Sequence, residues 1–463
     1  MTAKQLVYGP TFEEMLHPDR IKPEIRQKAL AAAKDDPLSE YNLFNITWRN
    51  PEGRIYYVVL PKELTHVDAN IVVLYSKDFP TRSHKVGATY SVCLEHQLLG
   101  DIEPGVHTLV WPSTGNYGIG GAYVAPRMGF DTVVILPELM SQERFEQIEW
   151  FGARYIKTPG CESNVKEIYD KANELRKEPQ NRILNQFEEF GNYRFHYHCT
   201  GNSCIEVAHE LAERGIGNGT ISGFVSAMGS AGTIAAGERI KHEFPGALTI
   251  GVEPIQCPTI YWNGYGGHDI QGIGDKHVTW IHNVFNMDAI CCIDDIESKK
   301  GLQLLTEEPG WEVLSKRYGV PEDSIREMSE IMGISGVCNT LAAIKAAKYY
   351  RLRDSDTLFT IATDTMDRYH TVMRQLSDTY GPMDEVEAAV RMVSIFHNVG
   401  LDWIREGTQH AHQCWFNLKY YTWVEQQGKT VEELDAQRDP EYWLEQQAKA
   451  YEIDKLLVEA RGF

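Results

Sequence analysis

The chain has 463 residues, 43% of them hydrophobic and 24% charged, with a formal net charge of −20. That composition fits a folded protein with well-buried cores and excludes long disorder. The acidic excess opposes nucleic acid or an anionic membrane as the main partner, because a phosphate backbone would be repelled overall, although a local basic pocket for a small anion stays allowed. The first residues, MTAKQLVYGPTFEEML, lack the apolar core of a signal peptide, and no apolar run is long enough to span a membrane. Nine cysteines, an odd number scattered through the chain, read as reduced thiols, so a cytoplasmic location is expected.

In chain order, RIKPEIRQKALAAAKDD predicts a helix and RIYYVVLP a strand. From residue 70 to about 350, strands and helices alternate. NIVVLYS precedes GATYSVCLEHQLLG, HTLVWPS precedes GIGGAYVAPRMG, and DTVVILPE precedes SQERFEQIEWFG, with ARYIKTPG a further short strand. SGFVSAMGS then leads into AGTIAAGERIKHEF, ALTIGVEP follows, and DTLFTIATDT comes near the end. Such alternation means right-handed βαβ units and parallel sheets, and the number of strands suits two α/β lobes. After about residue 383 the pattern turns helical, in GPMDEVEAAVRMVSIFHNVGLDWIREG, HQCWFNLKYYTWVEQQG and TVEELDAQRDPEYWLEQQAKAYEIDKLLVEARGF. The expected division is an N-terminal segment at 1–74 packing on the large lobe, a smaller mobile lobe at 75–195, a larger lobe at 196–382 and a helical extension at 383–463.

Three Gly/Ser/Thr turns and one lysine carry the candidate chemistry. WPSTGNYGIGGAYVA (111–125) follows a strand and opens a helix, so its N–H groups and hydroxyls favour a carboxylate or phosphate. SAMGSAGTIAAGE (226–238) repeats the arrangement but lacks the lysine of a nucleotide-binding P-loop, which points to a single phosphate. IATDTMDRYH (361–370) ends the last strand with a threonine within reach of a small ligand. In DFPTRSHKVGATYS (78–91), Lys85 stands just past a strand among small and hydroxylated residues, where a lone lysine is ordinarily a surface residue.

Taken together, these segments resemble the fold-type II pyridoxal-phosphate enzymes, the cysteine synthase and cystathionine β-synthase group. The segment PSTGNYGIGGAYVAPRMGFDTVVILPELMSQERFEQIEWFGARYIKTPG is similar to that family's substrate loop and the helix and strand after it. ILNQFEEFGNYRFHYHCTG, FVSAMGSAGTIAAG, IGVEP, IQGIGD and ATDTMDRY follow in family order, so the resemblance covers about residues 70–370. It implies a two-lobed α/β fold of the tryptophan synthase β kind with parallel twisted sheets and an extra C-terminal helical segment.

The resemblance further implies pyridoxal 5′-phosphate as cofactor and assigns roles to residues. Lys85 would form the Schiff base and later act as general base on the Cα proton, which requires an amine partly desolvated enough to be neutral. Gly229, Ser230, Ala231, Gly232 and Thr233 would hold the phosphate, with Ala231 standing where the family has glycine. Asn116 would bond the cofactor's phenolic oxygen, and Ser113, Thr114, Gly115, Asn116 and Gln186 would grip the substrate carboxylate. Thr365 would face the pyridine nitrogen. A neutral hydroxyl there weakens the ring as an electron sink and favours loss of a β-substituent, whereas a one-residue slip to Asp364 would reverse the argument.

The implied reaction is β-elimination or β-replacement through an aminoacrylate on a small L-amino acid such as serine, O-acetylserine or cysteine. Lyase and synthase stay open, with sulfur chemistry of the cysteine synthase type preferred. A serine or threonine dehydratase or a cysteine desulfhydrase is the enzymatic alternative, and a non-catalytic cofactor-binding sensor or carrier the alternative of another class. A homodimer is the family default.

Departures from the family remain. Arg82 replaces a glycine and would recognise a second acid group or pair outward. Tyr117 replaces a small threonine and would narrow the substrate side, bond a leaving group, or only pack. FHYHC (195–199) reads as a strand with His196 and His198 on one face, and HAHQC (410–414) clusters on a helix. Neither has a Cys-x-x-Cys partner, so no metal site is expected.

Overall fold

The apolar, β-branched runs become the strands of two sheets. The structure, a computed structural model, describes residues 8–113, 115–161 and 164–462. In chain order the strands are β1 (Tyr57–Val59), β2 (Asn70–Tyr75), β3 (Thr108–Pro112), β4 (Asp131–Pro137), β5 (Arg154–Thr158) and β6 (Asn181–Ile183). They continue as β7 (Gly223–Ala227), β8 (Leu248–Pro254), β9 (Ala289–Ile293), β10 (Thr357–Ala362) and β11 (Ile404–Glu406). The larger sheet has the order β1-β2-β10-β7-β8-β9-β11, and the smaller, wholly parallel sheet has the order β5-β4-β3-β6.

Within the larger sheet, β2, β10, β7, β8 and β9 run parallel, and the two edge strands pair antiparallel. Its central strands read as near-continuous apolar runs because helices cover both faces: β9 and β10 are buried throughout. The helix Ile334–Tyr349, buried from Ile334 to Ala347, lies over the ends of β7 and β10, where Asn339 accepts the Ala227 N–H and donates to Ile361 O. The helix Lys85–Leu98 is pressed against Phe190–Phe195, and a Cβ on Gly87 would overlap the Phe195 ring. That close approach is what requires glycine at 87.

Two expectations are corrected. FHYHC is not a strand: Phe190–Phe195 is helical, His196–Thr200 forms a π turn, and Gly201–Glu213 continues the helix. His196 and His198 therefore do not share a strand face; five alternating residues fit either period, and the buried helix that contains them decides the outcome. IRE at 404–406 is not helical but is the edge strand β11, pairing Arg405 with Ile290 and covering the open side of β9.

The extension beyond β11 comprises helices Gln409–Trp423, Val431–Ala436 and Pro440–Arg461. Its aromatic face is spent within this chain, with Trp415, Trp423 and Trp443 buried. At 150–250 Å² per ring, each contributes roughly 4–6 kcal/mol before entropy is counted. Trp423 Nε1 donates to Val278 O at 2.8 Å, and the buried Lys419 donates to Trp280 O and Gln437 Oε1 at 3.0 and 2.6 Å. The last helix braces Arg194, which pairs with Glu95 and donates to Gln446 O, while Asp454 accepts the Phe12 and Glu13 N–H groups. No helix among the described residues is long and apolar enough to cross a membrane.

Candidate active site

The site lies where strands of both sheets end at their carboxyl edges, the position in which open α/β sheets gather ligands. After β2, a loop with Arg82 at φ +54° delivers Lys85 to the first position of its helix. Lys85 is 7% exposed, and its Nζ donates to Ser230 Oγ at 3.1 Å. Burial pushes its ammonium down to about 8, against the opposing charge of Asp275. Two imidazoles back this lysine. His84 lies 3.2 Å from Thr363 Oγ1, and its ring meets His196 edge-on at 4.8 Å. Burial drives both well below the ordinary histidine range, so they stay neutral.

The turn after β7 holds Gly229, Ser230, Ala231, Gly232 and Thr233 ahead of the helix Ala235–Glu243. Among the described residues, none of these five N–H groups donates a hydrogen bond within the protein. Asn192 Nδ2 donates to Ser230 Oγ at 2.9 Å, Thr279 Oγ1 to Ser230 O at 2.8 Å, and His196 Nε2 lies 3.4 Å from Thr233 Oγ1. A Cβ on Gly232 would overlap Asn192 Oδ1, so the turn closes this tightly only with glycine. Ala231 takes φ +60°, a left-handed conformation that costs a non-glycine residue about 1–2 kcal/mol.

The turn after β3 differs. Ser113 Oγ accepts the Gly115 and Gly118 N–H groups at 2.9 and 2.7 Å and so caps the helix Asn116–Arg127. Thr114 lies outside the described residues. Gly115 has φ +146°, and a Cβ there would crowd the Arg144 guanidinium. Asn116 Nδ2 donates to Asp364 Oδ2 at 2.6 Å, and its Oδ1 accepts from Arg144 at 2.9 Å. Arg144 also donates to Gln271 Oε1 at 3.1 Å and to Tyr369 OH at 3.0 Å, and Tyr369 OH donates to Asp364 Oδ2 at 2.7 Å. Gln186, after β6, is buried, and its Nε2 has no partner among the described residues. Tyr117 packs edge-on against Trp111 at 5.5 Å inside the core.

At the end of β10, Thr365 gives its hydroxyl to Asp367, which also pairs with Arg82 at 3.6 Å on the half-exposed surface. No hydrogen bond joins Thr365 to Lys85 or Asn116 among the described residues, whereas its neighbour Asp364 is locked to Asn116 and Tyr369. Ser335, the second residue of the helix over β10, is buried with a hydroxyl that has no partner among the described residues. A short Gly-Ile-Ser opening a helix is the only sequence signal for it, and sequence reasoning missed it. The Arg144–Tyr369 network and Asp275 were missed as well, since each joins segments far apart in the chain.

The donor set suits a small phosphorylated aldehyde: five free N–H groups for one phosphate, a buried amine that can be neutral, and unpartnered amide and hydroxyl groups around it. The comparisons point the same way. A family model described as pyridoxal-phosphate dependent enzyme matches residues 60–308. A cysteine synthase of Staphylococcus aureus is 30% identical over 307 residues, covering 65% of this chain and 89% of that protein. Cysteine synthase B of Campylobacter jejuni is 29% identical over 270 residues, covering 57% and 77%. Among solved structures, the O-acetylserine dependent cystathionine beta-synthase from Helicobacter pylori has TM-score 0.57 at 25% identity, covering 69% of this chain and 95% of that one. Cysteine synthase from Entamoeba histolytica has TM-score 0.60 at 23% identity, covering 75% and 98%, a likeness of fold. The buried lysine, the open phosphate turn and these relatives converge: the chain belongs to the pyridoxal-phosphate dependent enzymes and, within them, is cysteine synthase-like.

Proposed function

We propose that Lys85, the 229–233 turn and the 113–116 turn form one active site that removes the β-substituent of a small L-amino acid and replaces it, with serine, O-acetylserine and cysteine as candidate substrates. The observation that carries this reading is the buried Lys85 amine, 3.1 Å from Ser230 at the mouth of a turn with five free N–H groups. Pyridoxal phosphate, when bound, supplies the electron sink that weakens bonds at the substrate's Cα and Cβ. Gly229 to Thr233 would hold its phosphate, and Asn116 would meet its phenolic oxygen.

Lys85, lowered to about 8, reaches the neutral form close to neutral pH and can take and return the Cα proton. The unpartnered Gln186 amide and the free hydroxyl proton of Ser113 would orient the substrate carboxylate. Neutral His84 and His196 behind Lys85 place no competing cation beside it. For the neutral hydroxyl at the ring nitrogen, Thr365 and Ser335 are the candidates, and what favours Ser335 is that its hydroxyl has no partner among the described residues while that of Thr365 goes to Asp367. Ser335→Ala is expected to shift the bound cofactor's visible band and Thr365→Ala to leave it in place; the reverse pattern returns the role to Thr365.

Replacement with a sulfur nucleophile is the preferred outcome, because the curated relatives are cysteine synthases. The test is the visible absorbance of the cofactor-loaded protein with L-serine, O-acetyl-L-serine, L-cysteine or L-threonine, each with and without sulfide. Bleaching that recovers only when sulfide is added supports replacement. Recovery without sulfide, with a keto acid accumulating, makes the enzyme a lyase or dehydratase. A protein that takes up no cofactor overturns the reading. We further propose a homodimer in which the lobe carrying β3–β6 closes on the substrate; a monomeric sedimentation profile, or scattering unchanged by substrate, would count against each part.

A further inference from the structure

We propose that Asp275 is a second proton-transfer group of this site, working on the substrate's β-substituent while Lys85 works on Cα. The inference rests on the reading of Lys85 and the 229–233 turn given above. Asp275 is 5% exposed, and neither carboxylate oxygen has a hydrogen-bond partner among the described residues. An orphaned buried carboxylate is costly to keep, so the fold gains nothing structural from it.

Its backbone, by contrast, is pinned. Thr259 Oγ1 donates to Asp275 O at 2.9 Å, the Gly274 N–H donates to Met228 O at 2.8 Å, and His268 Nε2 lies 2.9 Å from Gly274 O. The loop aims the carboxylate at the phosphate turn: a Cβ on Gly229 would stand 3.6 Å from Asp275 Oδ2. Gly272, three residues earlier, faces Asn116 Nδ2, with a Cβ there also 3.6 Å away. The carboxylate thus stands beside the phosphate turn, on a loop that also reaches the substrate turn, and the opposite charge it feels is Lys85.

Burial pushes the Asp275 carboxyl up to about 7, with Lys85 pulling it back, while burial brings Lys85 down to about 8. Groups with proton affinities this close can each hold or release a proton near neutral pH. The other titratable groups nearby do not take over the task. Burial raises Tyr169 and Cys257, which stay protonated, and lowers His268 to about 4 and His277 to about 3, which stay neutral; Lys276 is exposed.

The step balances. The Lys85 amine takes the Cα proton, and the Cα–H electron pair becomes the second Cα–Cβ bond. The bond from Cβ to the leaving atom breaks with its pair going to that atom, which receives the Asp275 proton and departs neutral. An incoming nucleophile then bonds to Cβ and yields its proton to the Asp275 carboxylate, and Lys85 returns its proton to Cα. One protonated leaving group is exchanged for one protonated nucleophile, with no oxidant or reductant.

The discriminating variant is Asp275→Asn, which keeps the shape and removes the proton exchange. Hydroxide leaves serine poorly without a proton, thiolate leaves cysteine more easily, and acetate leaves O-acetylserine with least help. The loss in kcat/KM is expected to grow with leaving-group basicity, so that the ratio of O-acetyl-L-serine to L-serine rises by about 10²–10⁴-fold. An equal loss on all three substrates, or none, overturns the proposal.

A second readout needs no cofactor. A carboxyl raised by burial favours the folded state below its unfolded pKa and loses that contribution as pH rises through about 7. The melting temperature of the wild type should therefore fall relative to Asp275→Asn between pH 4 and pH 8, and parallel profiles overturn the proposal. Failure of the underlying reading looks different. Wild type that gains no visible band with pyridoxal phosphate, or Lys85→Ala that gains the same band, removes the Lys85 assignment and leaves the melting result intact.

Discussion

The two strand-to-helix turns at 113–116 and 229–233 look alike in sequence and differ in what they do with their N–H groups. The first closes two of its N–H groups on itself, with Ser113 Oγ taking those of Gly115 and Gly118, and its Asn116 side chain is held between Asp364 and Arg144. The second keeps five N–H groups open and spends its side chains on neighbours, with Ser230 on Lys85 and Asn192 and Thr233 beside His196. A Gly/Ser-rich composition therefore does not by itself fix how many N–H groups a turn leaves open. What separates the two is whether a side chain of the turn folds back to cap its own helix.

The largest expected effect comes from breaking the open turn. Gly232→Ala drives a methyl into Asn192, and an overpacking cost of about 1–3 kcal/mol should weaken pyridoxal-phosphate uptake roughly ten- to hundredfold, read by absorbance titration. Uptake equal to wild type would show that Asn192 can move aside and that the turn is not held as described. Next is a remote change. Lys419→Met leaves Gln437 Oε1 without its donor and Trp280 O with Gln437 Nε2 alone, beside Thr279, which anchors Ser230, and should cost about 1–3 kcal/mol in chemical denaturation. Cofactor titration of the same variant shows whether loosening that segment reaches the phosphate turn.

Ser113→Ala acts on the first turn and removes the single oxygen that accepts both the Gly115 and the Gly118 N–H groups. The expected loss is about 1 kcal/mol of stability, with cofactor affinity preserved. Affinity falling together with stability would mean that the two turns are not separable. Ala231→Gly should matter least. Relief of about 1–2 kcal/mol of left-handed strain exceeds the roughly 0.4–1 kcal/mol of extra unfolded-chain entropy, so a small gain in melting temperature is expected.

Much of the frame was legible because each strand–turn–helix unit is contiguous. The runs NIVVLY, TLVWP and TLFTIA formed strands, and the lysine singled out in DFPTRSHKVGATYS proved to be buried. What escaped was assembled across distance or below the length at which periodicity speaks. Three residues of β11 carry no readable pattern, and the alternation in FHYHC was overruled by the buried helix around it. The binding of Arg144 to Asn116, Gln271 and Tyr369 joins positions up to 253 residues apart in chain order, counting Asn116 to Tyr369. Thr365 and Ser335 are both plain hydroxyl residues in sequence; only the surroundings distinguish the one bound to Asp367 from the one left free.

The hold of Asp454 on Phe12 and Glu13, joined by Arg461 on Glu14 and Gly9, sets an order on biosynthesis. The first helix leaves the ribosome more than four hundred residues before its partner carboxylate is made. Until then Gly9, which packs on Tyr90 of the Lys85 helix, lacks its clamp. The lysine helix thus acquires its full support only once residue 461 has been made and has reached the first helix.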